Sequence, residues 1–133
     1  MNIFALRLYP NQDLKQALTE FVVAKQIQAG FILSAIGSLQ KATIRFANQP
    51  TSDIFDEKFE IIALNGTLSV HGSHLHVAIA DQTGRMTGGH LTEGCIIYTT
   101  AEIVIGENPN LTFVRTPDQQ TGFLELEIRE RAV

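Results

Sequence analysis

Strand-like segments fill most of this 133-residue chain, and one segment near its start has the clearest helical periodicity. Alternating or β-branched runs such as "HLHVAIA" and "CIIYTTAEIVIG" recur with turn residues between them. A parallel sheet would need a long crossover, usually a helix, between each pair of strands, and in this chain hairpin-like connections outnumber such crossovers. We therefore predict an α+β domain, with a mainly antiparallel sheet and at least one packed helix.

The helix is the most clearly marked element. The segment "NQDLKQALTEFVVAKQIQAG" offers Asn11 or Asp13 as its N-cap, apolar residues at helical spacing, and Gly30 where a left-handed stop is expected. Strands are predicted on both sides of it, beginning with "NIFALRLY" and ending with "LTFVR" and "FLELEIRE".

Glycine and asparagine suggest where the strands turn. We interpret "FILSAIG" and "LQKATIRFA" as two strands joined around Gly37 and Ser38, and Asn65-Gly66 in "FEIIALNGTLSV" as a hairpin turn. The polar segment "NQPTSDIFDEK" is predicted to be a loop, and "DQTGR" a turn.

Length and charge limit the classes of function. One domain over residues 1–133 accounts for the chain, in which 44% of residues are hydrophobic. The 10 Lys and Arg against 14 Asp and Glu give a net charge of −4, so a cationic surface for nucleic acid is missing. A single cysteine and the lack of an apolar run of roughly 20 residues favour a cytoplasmic protein that does not cross a membrane.

Three of the four histidines fall in a pattern that suggests a metal site. Side chains alternate along a strand, so His74 and His76 share one face while Leu75 and Val77 share the other. His90 could complete a three-nitrogen set if the intervening chain folds back as a hairpin. Three neutral imidazoles with an open fourth position are typical of catalytic zinc.

Gly88 and Gly89 are placed where they could help the chain fold back and bring His90 to the other histidines. Glycine permits close backbone approaches that other residues do not, so the pair could bring the chain against a strand and direct His90 toward the other two histidines. The alternative is that the histidines are polar surface or hydrogen-bonding residues without a ligand. We predict that His71, next to Gly72, is an exposed turn residue rather than a fourth ligand.

Other candidate residues have weaker support. Arg7 and Glu102 lie inside predicted strands, where they either form an ion pair or leave Arg7 to bind an anion near the histidines. Glu60 and Glu93 are candidates for orienting the imidazoles. Cys95 begins a β-branched strand and is predicted to be buried and unreactive.

The chain resembles a known family in several segments: "LRLYPNQDL", "FILSAIGSLQKATIRFA", "FEIIALNGTLS" and "HLHVAIADQTGRMTGGHLTEGCIIYTTAEIVIG". They are similar to the plants-and-prokaryotes conserved domain, also called PPC or DUF296, in a stand-alone prokaryotic form. The resemblance implies an α+β fold that assembles as a homotrimer. It also implies that His74, His76 and His90 are the family's characteristic histidines, for which zinc binding has been proposed.

The resemblance leaves three functions open. The first is a trimeric zinc-binding domain. The second is a metal-dependent enzyme in which Glu93 or Glu60 is the general base and Arg7 holds an anionic substrate. The third is DNA binding, as in plant relatives that carry AT-hooks, but this chain has no Arg-Gly-Arg-Pro motif. Where the family often has Gly-Glu-Asp before its first helix, the chain has "NQD", in which only Asp13 persists.

Overall fold

The helix lies near the start of the chain, and strands make up almost all of the rest. The structure is a computed structural model and describes residues 1–132. Its elements in chain order are β1 (Asn2–Leu8), α1 (Leu14–Lys25), β2 (Gly30–Arg45), β3 (Asp53–Phe55), β4 (Phe59–Ser69), β5 (Gly72–Ala80), β6 (Met86–Leu91), β7 (Ile96–Glu107), β8 (Leu111–Pro117) and β9 (Leu124–Glu130).

Every strand pairing within the described residues is antiparallel. The main sheet has the order β1-β7-β2-β4-β5-β6, and β3 pairs with β2. Because β6 also pairs with β2, the strands β2, β4, β5 and β6 form a closed ring. β8 and β9 form a separate hairpin. The predicted α+β class, a mainly antiparallel sheet with at least one packed helix, is confirmed, and the described residues contain one helix.

Asp13 starts α1 and also ties it to the sheet. One carboxylate oxygen accepts a hydrogen bond from the Gln16 N–H at 3.0 Å, as an N-cap does, and the other accepts from the Gly94 N–H at 2.7 Å. The helix ends at Lys25, and its left-handed C-cap is Gln26, with φ 52° and ψ 46°, rather than the predicted Gly30. Gly30 instead begins β2, where a Cβ would lie 2.8 Å from Ile27 and Leu68 atoms, so glycine is there for packing.

The prediction of two strands around Gly37 and Ser38 is wrong, because β2 runs through both without a turn. Gly37 pairs with Ile61 on one side and Ala101 on the other. A Cβ at Gly37 would lie 2.3 Å from the Thr100 carbonyl oxygen. The glycine therefore permits a close strand approach beside register shifts of β2 against β7, and no chain reversal.

Asn65-Gly66 is also not a turn. Both residues lie inside β4, paired with His76 and Leu75 of β5, and a Cβ at Gly66 would lie 2.0 Å from the His74 carbonyl oxygen. The chain reverses further along, at residues 70–71. The predicted loop at residues 48–58 contains β3, which was not expected. The predicted turn at "DQTGR" is confirmed.

One hydrophobic core joins the ring strands to α1. Leu75, Val77 and Ile79 of β5 are at most 3% exposed and belong to the same cluster as Leu18 and Val22 of α1. Burying each such side chain contributes about 1.5 to 3 kcal/mol to folding. Among residues 1–132, no helix has the length and apolar character needed to cross a membrane. The cytoplasmic location stays a prediction.

The β8–β9 hairpin is held to the domain by polar contacts. The Phe113 N–H donates to the Gln28 carbonyl at 2.8 Å, and the Ser69 hydroxyl donates to the Phe113 carbonyl at 2.7 Å. Arg131, just after β9, pairs with Glu107 at 3.1 Å. An isolated two-stranded hairpin is marginal in water, so these contacts fix its position against β4 and β7.

Candidate metal centre

Strand β5 presents two imidazoles to solvent from a backbone that the core holds in place. His74 and His76 are exposed, whereas Leu75 and Val77 between and beside them are buried. The predicted alternation is therefore confirmed. Because β5 pairs with β4 on one side and β6 on the other, the strand cannot rotate to turn the histidines away.

Strand β6 brings His90 to the same place. The turn between β5 and β6 is ordered by the Asp81 carboxylate, which accepts from the Thr83 N–H at 2.8 Å, the Thr83 hydroxyl at 2.7 Å and the Arg85 N–H at 3.1 Å. The hydrogen bond from the Thr83 hydroxyl, the strongest cause, helps to lower the pKa of Asp81. With this turn fixed, His90 pairs directly with His76.

The two glycines before His90 fit β6 between its neighbours. A Cβ at Gly88 would lie 2.4 Å from the Val77 carbonyl oxygen of β5. A Cβ at Gly89 would lie 2.7 Å from the Arg45 carbonyl oxygen of β2. A side chain at Gly88 would push β6 away from β5, and one at Gly89 would push it away from β2, so the glycines allow the close approach that places His90.

The three histidines form a compact cluster. One ligand atom from each of His74, His76 and His90 lies within 4.8 Å of the other two. The ring centroids are 4.9 Å apart for His74 and His76, 5.3 Å for His74 and His90, and 5.9 Å for His76 and His90. Tetrahedral zinc with Zn–N bonds of about 2.0 to 2.1 Å needs nitrogens roughly 3.3 Å apart. The ligand atoms would therefore have to move somewhat closer together when an ion binds.

The surroundings favour the neutral form of two of these imidazoles, because they lower the pKa of both. Burial is the main cause that lowers the pKa of His90 to about 4, and the positive charge of Arg45 adds to it. Burial and then the neighbouring His76 and Arg115 lower the pKa of His74, against an opposing effect of Glu125. A metal binds the neutral form of imidazole, so little proton displacement is needed at neutral pH.

An open groove of about 1190 Å³ runs beside the cluster. His74, His90 and Arg45 line it, and the β8–β9 hairpin contributes Arg115 and Glu125. Arg45 is the cross-strand partner of His90 on β2. The Arg115 guanidinium donates to the Thr67 hydroxyl at 2.9 Å, and Thr67 is the cross-strand partner of His74.

Arg7 and Glu102 lie elsewhere in the sheet. They are direct cross-strand partners on β1 and β7, strands that do not pair with β5 or β6. Both are exposed, and within residues 1–132 they form no ion pair at 4 Å or less. The Arg7 guanidinium instead donates to the Thr100 hydroxyl at 3.0 Å and stacks on Tyr9. Of the two alternatives, the ion pair is not formed, and Arg7 does not line the groove beside the histidines.

The remaining sequence candidates do not join the cluster. Glu60 is exposed and pairs with Ala80, four residues beyond His76 on β5. Glu93 is exposed in the segment between β6 and β7. His71 lies in the turn before β5 and is exposed, as predicted.

Cys95 is fully buried, as predicted. Its thiol donates to the Thr43 carbonyl at 3.3 Å and accepts from the Thr43 N–H at 3.4 Å. Burial is the main cause that raises the pKa of this thiol to about 11. The thiol is therefore protonated at neutral pH, which makes it a poor nucleophile and a poor ligand.

The sequence did not identify Arg45, Arg115 and Glu125 as neighbours of the histidines. In "LQKATIRFA", Arg45 is one of several polar residues on an alternating strand. Its proximity to His90 depends on the β2–β6 pairing, and that of Arg115 and Glu125 on where the C-terminal hairpin packs. No local pattern marks any of the three.

Residues 1–109 match the sequence model of the Plants and Prokaryotes Conserved (PCC) domain. The chain belongs to this family. The resemblance seen in the sequence is thereby confirmed, and β8 and β9 lie beyond the matched range.

Two curated relatives match nearly the full length of this PCC domain at about 50% identity. Both are called bifunctional protein GlmU and come from two strains of Synechococcus sp., JA-2-3B'a(2-13) and JA-3-3Ab. They are 50% and 51% identical over 97% and 99% of this chain. The chain spans only 20% and 21% of their lengths.

Solved structures agree with the PCC domain fold. A hypothetical protein from Salmonella enterica is 44% identical with a TM-score of 0.97, covering 98% of this chain and 95% of that one. A Bacteroides thetaiotaomicron protein whose name suggests DNA binding is 26% identical with a TM-score of 0.83, covering 95% and 91%. A metal-containing protein from Archaeoglobus fulgidus is 29% identical with a TM-score of 0.78, covering 96% and 94%.

Proposed function

We propose that this PCC domain binds a divalent transition metal, zinc in the first place, through His74, His76 and His90. The observation that carries the proposal is the set of three imidazole ligand atoms within 4.8 Å of one another. A relative of similar fold from Archaeoglobus fulgidus is named as metal-containing, and this supports metal binding by the present chain.

The donor set suits zinc better than the alkaline-earth ions. Imidazole nitrogens favour zinc and other late transition metals, whereas Mg²⁺ and Ca²⁺ require oxygen ligands. Three protein ligands leave a coordination position for another molecule. When bound, zinc would act there as a Lewis acid that polarises a ligand oxygen.

Elemental analysis of untagged protein, purified without chelator, tests the proposal. We expect close to one metal ion per chain in the wild type and in His71→Ala, which removes a histidine outside the cluster. The double variant His74→Ala, His76→Ala should lose the metal while keeping its circular dichroism spectrum, because both side chains are exposed. Equal metal content in all three proteins would reject the site.

A second candidate function is metal-dependent catalysis. It is favoured because the open groove beside the histidines contains a carboxylate. That carboxylate is Glu125, and not Glu60 or Glu93. Zinc-loaded protein should then hydrolyse a simple probe ester, 4-nitrophenyl acetate, faster than metal-free protein. Glu125→Gln should lower the rate without lowering the zinc content. Equal rates with and without zinc would reject this activity.

We further propose that the domain assembles as a homotrimer through the exposed face of β2 and β4. Ile36 on β2 is 55% exposed and Ile62 on β4 is 50% exposed. Since Gly37 pairs with Ile61, the two isoleucines are neighbours on adjacent strands. Contiguous exposed apolar side chains favour an interface.

Light scattering tests the assembly, with a trimer expected at three times the 14.7 kDa of one chain. Ile36→Lys should dissociate it, whereas Ile54→Lys, on the exposed surface of β3, should not. A monomeric wild type, or a trimer unaffected by Ile36→Lys, would reject this interface.

DNA binding, the third hypothesis, has weaker support. It rests on the name of the Bacteroides relative, and the net charge of −4 opposes it. Phosphate contacts from Lys and Arg supply most of the nonspecific affinity for DNA, and this affinity falls steeply with salt. We expect no gel shift with micromolar protein at low salt. A shift that weakens at higher salt would restore the hypothesis.

A further inference from the structure

The groove beside the histidines has two walls of different origin. The ring strands supply His74, His90 and Arg45. The β8–β9 hairpin, beyond the range that matches the family, supplies Arg115 and Glu125 together with the apolar Phe123 and Leu124 near its tip. At about 1190 Å³, the groove is large enough for a small organic molecule.

Both arginines in this groove lack an acidic partner. Within residues 1–132, neither Arg45 nor Arg115 has a carboxylate oxygen within 4 Å. Each is only partly exposed, and each is held by a neutral acceptor. The Arg45 guanidinium donates to the Gln49 carbonyl at 3.3 Å, and that of Arg115 to the Thr67 hydroxyl at 2.9 Å. Partly buried guanidinium groups without a counter-ion favour an anion beside them.

A bound metal would increase this excess of positive charge. Imidazole ligands carry no negative charge to offset a divalent ion, and Glu125 is the one carboxylate among the described residues that line the groove. A carboxylate ligand would meet both needs, because its oxygens can contact a metal and a guanidinium fork together. The apolar side chains of Phe123, Leu124 and Pro50 would face the rest of such a molecule.

We infer that the groove binds a small organic carboxylate, with Arg45 and Arg115 holding the carboxylate group beside the metal and the hairpin tip contacting the apolar part. This inference rests on the proposed metal site. It adds the chemical class of the ligand and assigns the hairpin a part in selecting it.

The test uses the full chain loaded with Co²⁺, whose visible spectrum reports changes in coordination, and measures the metal content separately. Benzoate is the probe, and benzamide is its neutral counterpart of nearly the same shape. We expect benzoate to change the cobalt spectrum in a saturable manner and benzamide to have no effect. Inorganic phosphate, which has charge but no apolar part, should bind more weakly than benzoate.

Variants locate the anion site. Arg45→Gln and Arg115→Gln should each weaken benzoate binding at least about tenfold, as expected for a lost charge-assisted hydrogen bond, while cobalt stays bound. Arg129→Gln is the matched control, because it removes the same charge from the same hairpin at an exposed residue that pairs with Glu127. Phe123→Ala should weaken benzoate more than phosphate.

The outcomes separate this inference from the proposed metal site. Full cobalt binding with no benzoate effect, or with an equal benzamide effect, would overturn the inference and leave the metal site standing. Phosphate binding as tight as that of benzoate would overturn the claim that the ligand has an organic, apolar part. Unchanged benzoate affinity in both groove variants would overturn the roles of the arginines. A failure to bind cobalt would reject the metal site and this inference with it.

Discussion

His76 and His90 are direct cross-strand partners in the β5–β6 hairpin. The hydrogen-bonded turn at Asp81 sets this register. A slip of one residue would place Gly89 or Leu91 opposite His76 and turn His90 toward the other face of the sheet. The candidate metal centre therefore depends on strand register as much as on the histidines themselves.

Gly88→Ala should disrupt the candidate metal centre although all three histidines are kept. Its Cβ would lie 2.4 Å from the Val77 carbonyl oxygen, so β6 has to move away from β5. We expect a loss of about 1 to 3 kcal/mol in the free energy of unfolding, with weaker metal binding. Urea unfolding and metal content measure the two effects. Met86→Ala, an exposed change on the same strand, is the control and should leave both within error.

Cys95 should resist thiol reagents in the folded protein. The thiol is fully buried, and its pKa of about 11 leaves very little thiolate at pH 8. Ellman's reagent should react with one thiol per chain in urea and with almost none in native buffer. Rapid reaction of the native protein would contradict the buried position between β6 and β7.

Glu107 should make stability depend on pH. It is 5% exposed, and although burial acts to raise its pKa, hydrogen bonds from the Gln28 N–H, Asn2 and Arg131 lower it below the usual 4.5. A carboxyl whose pKa is lower in the folded state stabilises that state above pH 4.5. This contribution is lost as the pH falls through the folded-state pKa.

Glu107→Gln should therefore cost about 1 to 3 kcal/mol in unfolding free energy at pH 7, since hydrogen bonds to a charged group are lost. The difference from wild type should shrink in urea titrations as the pH is lowered well below 4.5. Glu127→Gln, which removes the exposed pair with Arg129, should change stability by less than about 1 kcal/mol. A pH-independent cost for Glu107→Gln would show that the charge is not the cause.

Local patterns were sufficient to predict parts of the fold and of the site. Alternation along "HLHVAIA" placed His74 and His76 on the exposed face, and the Gly88-Gly89 pair indicated a close approach before His90. Asp13 was identified as one of two N-cap candidates. In each case the signal comes from residues next to each other in the chain.

The errors share a physical reason. Gly37 and Gly66 suggest turns when read locally, but each lies where two backbones approach within a paired strand. Whether a glycine serves a turn or a close approach depends on strands distant in the sequence. The position of Arg45 and Arg115 beside the histidines could not be predicted for the same reason. It depends on the β2–β6 pairing and on where the β8–β9 hairpin packs.

X-ray absorption at the zinc edge, on protein purified without chelator, would identify the atoms bound to zinc at the three histidines. Three imidazole nitrogens at about 2.0 to 2.1 Å and at least one further light ligand are predicted. Sulfur in the first coordination shell would contradict the account, because Cys95 is buried and hydrogen-bonded to Thr43. A shell made only of oxygens, or the absence of zinc and of any other transition metal, would contradict it as well.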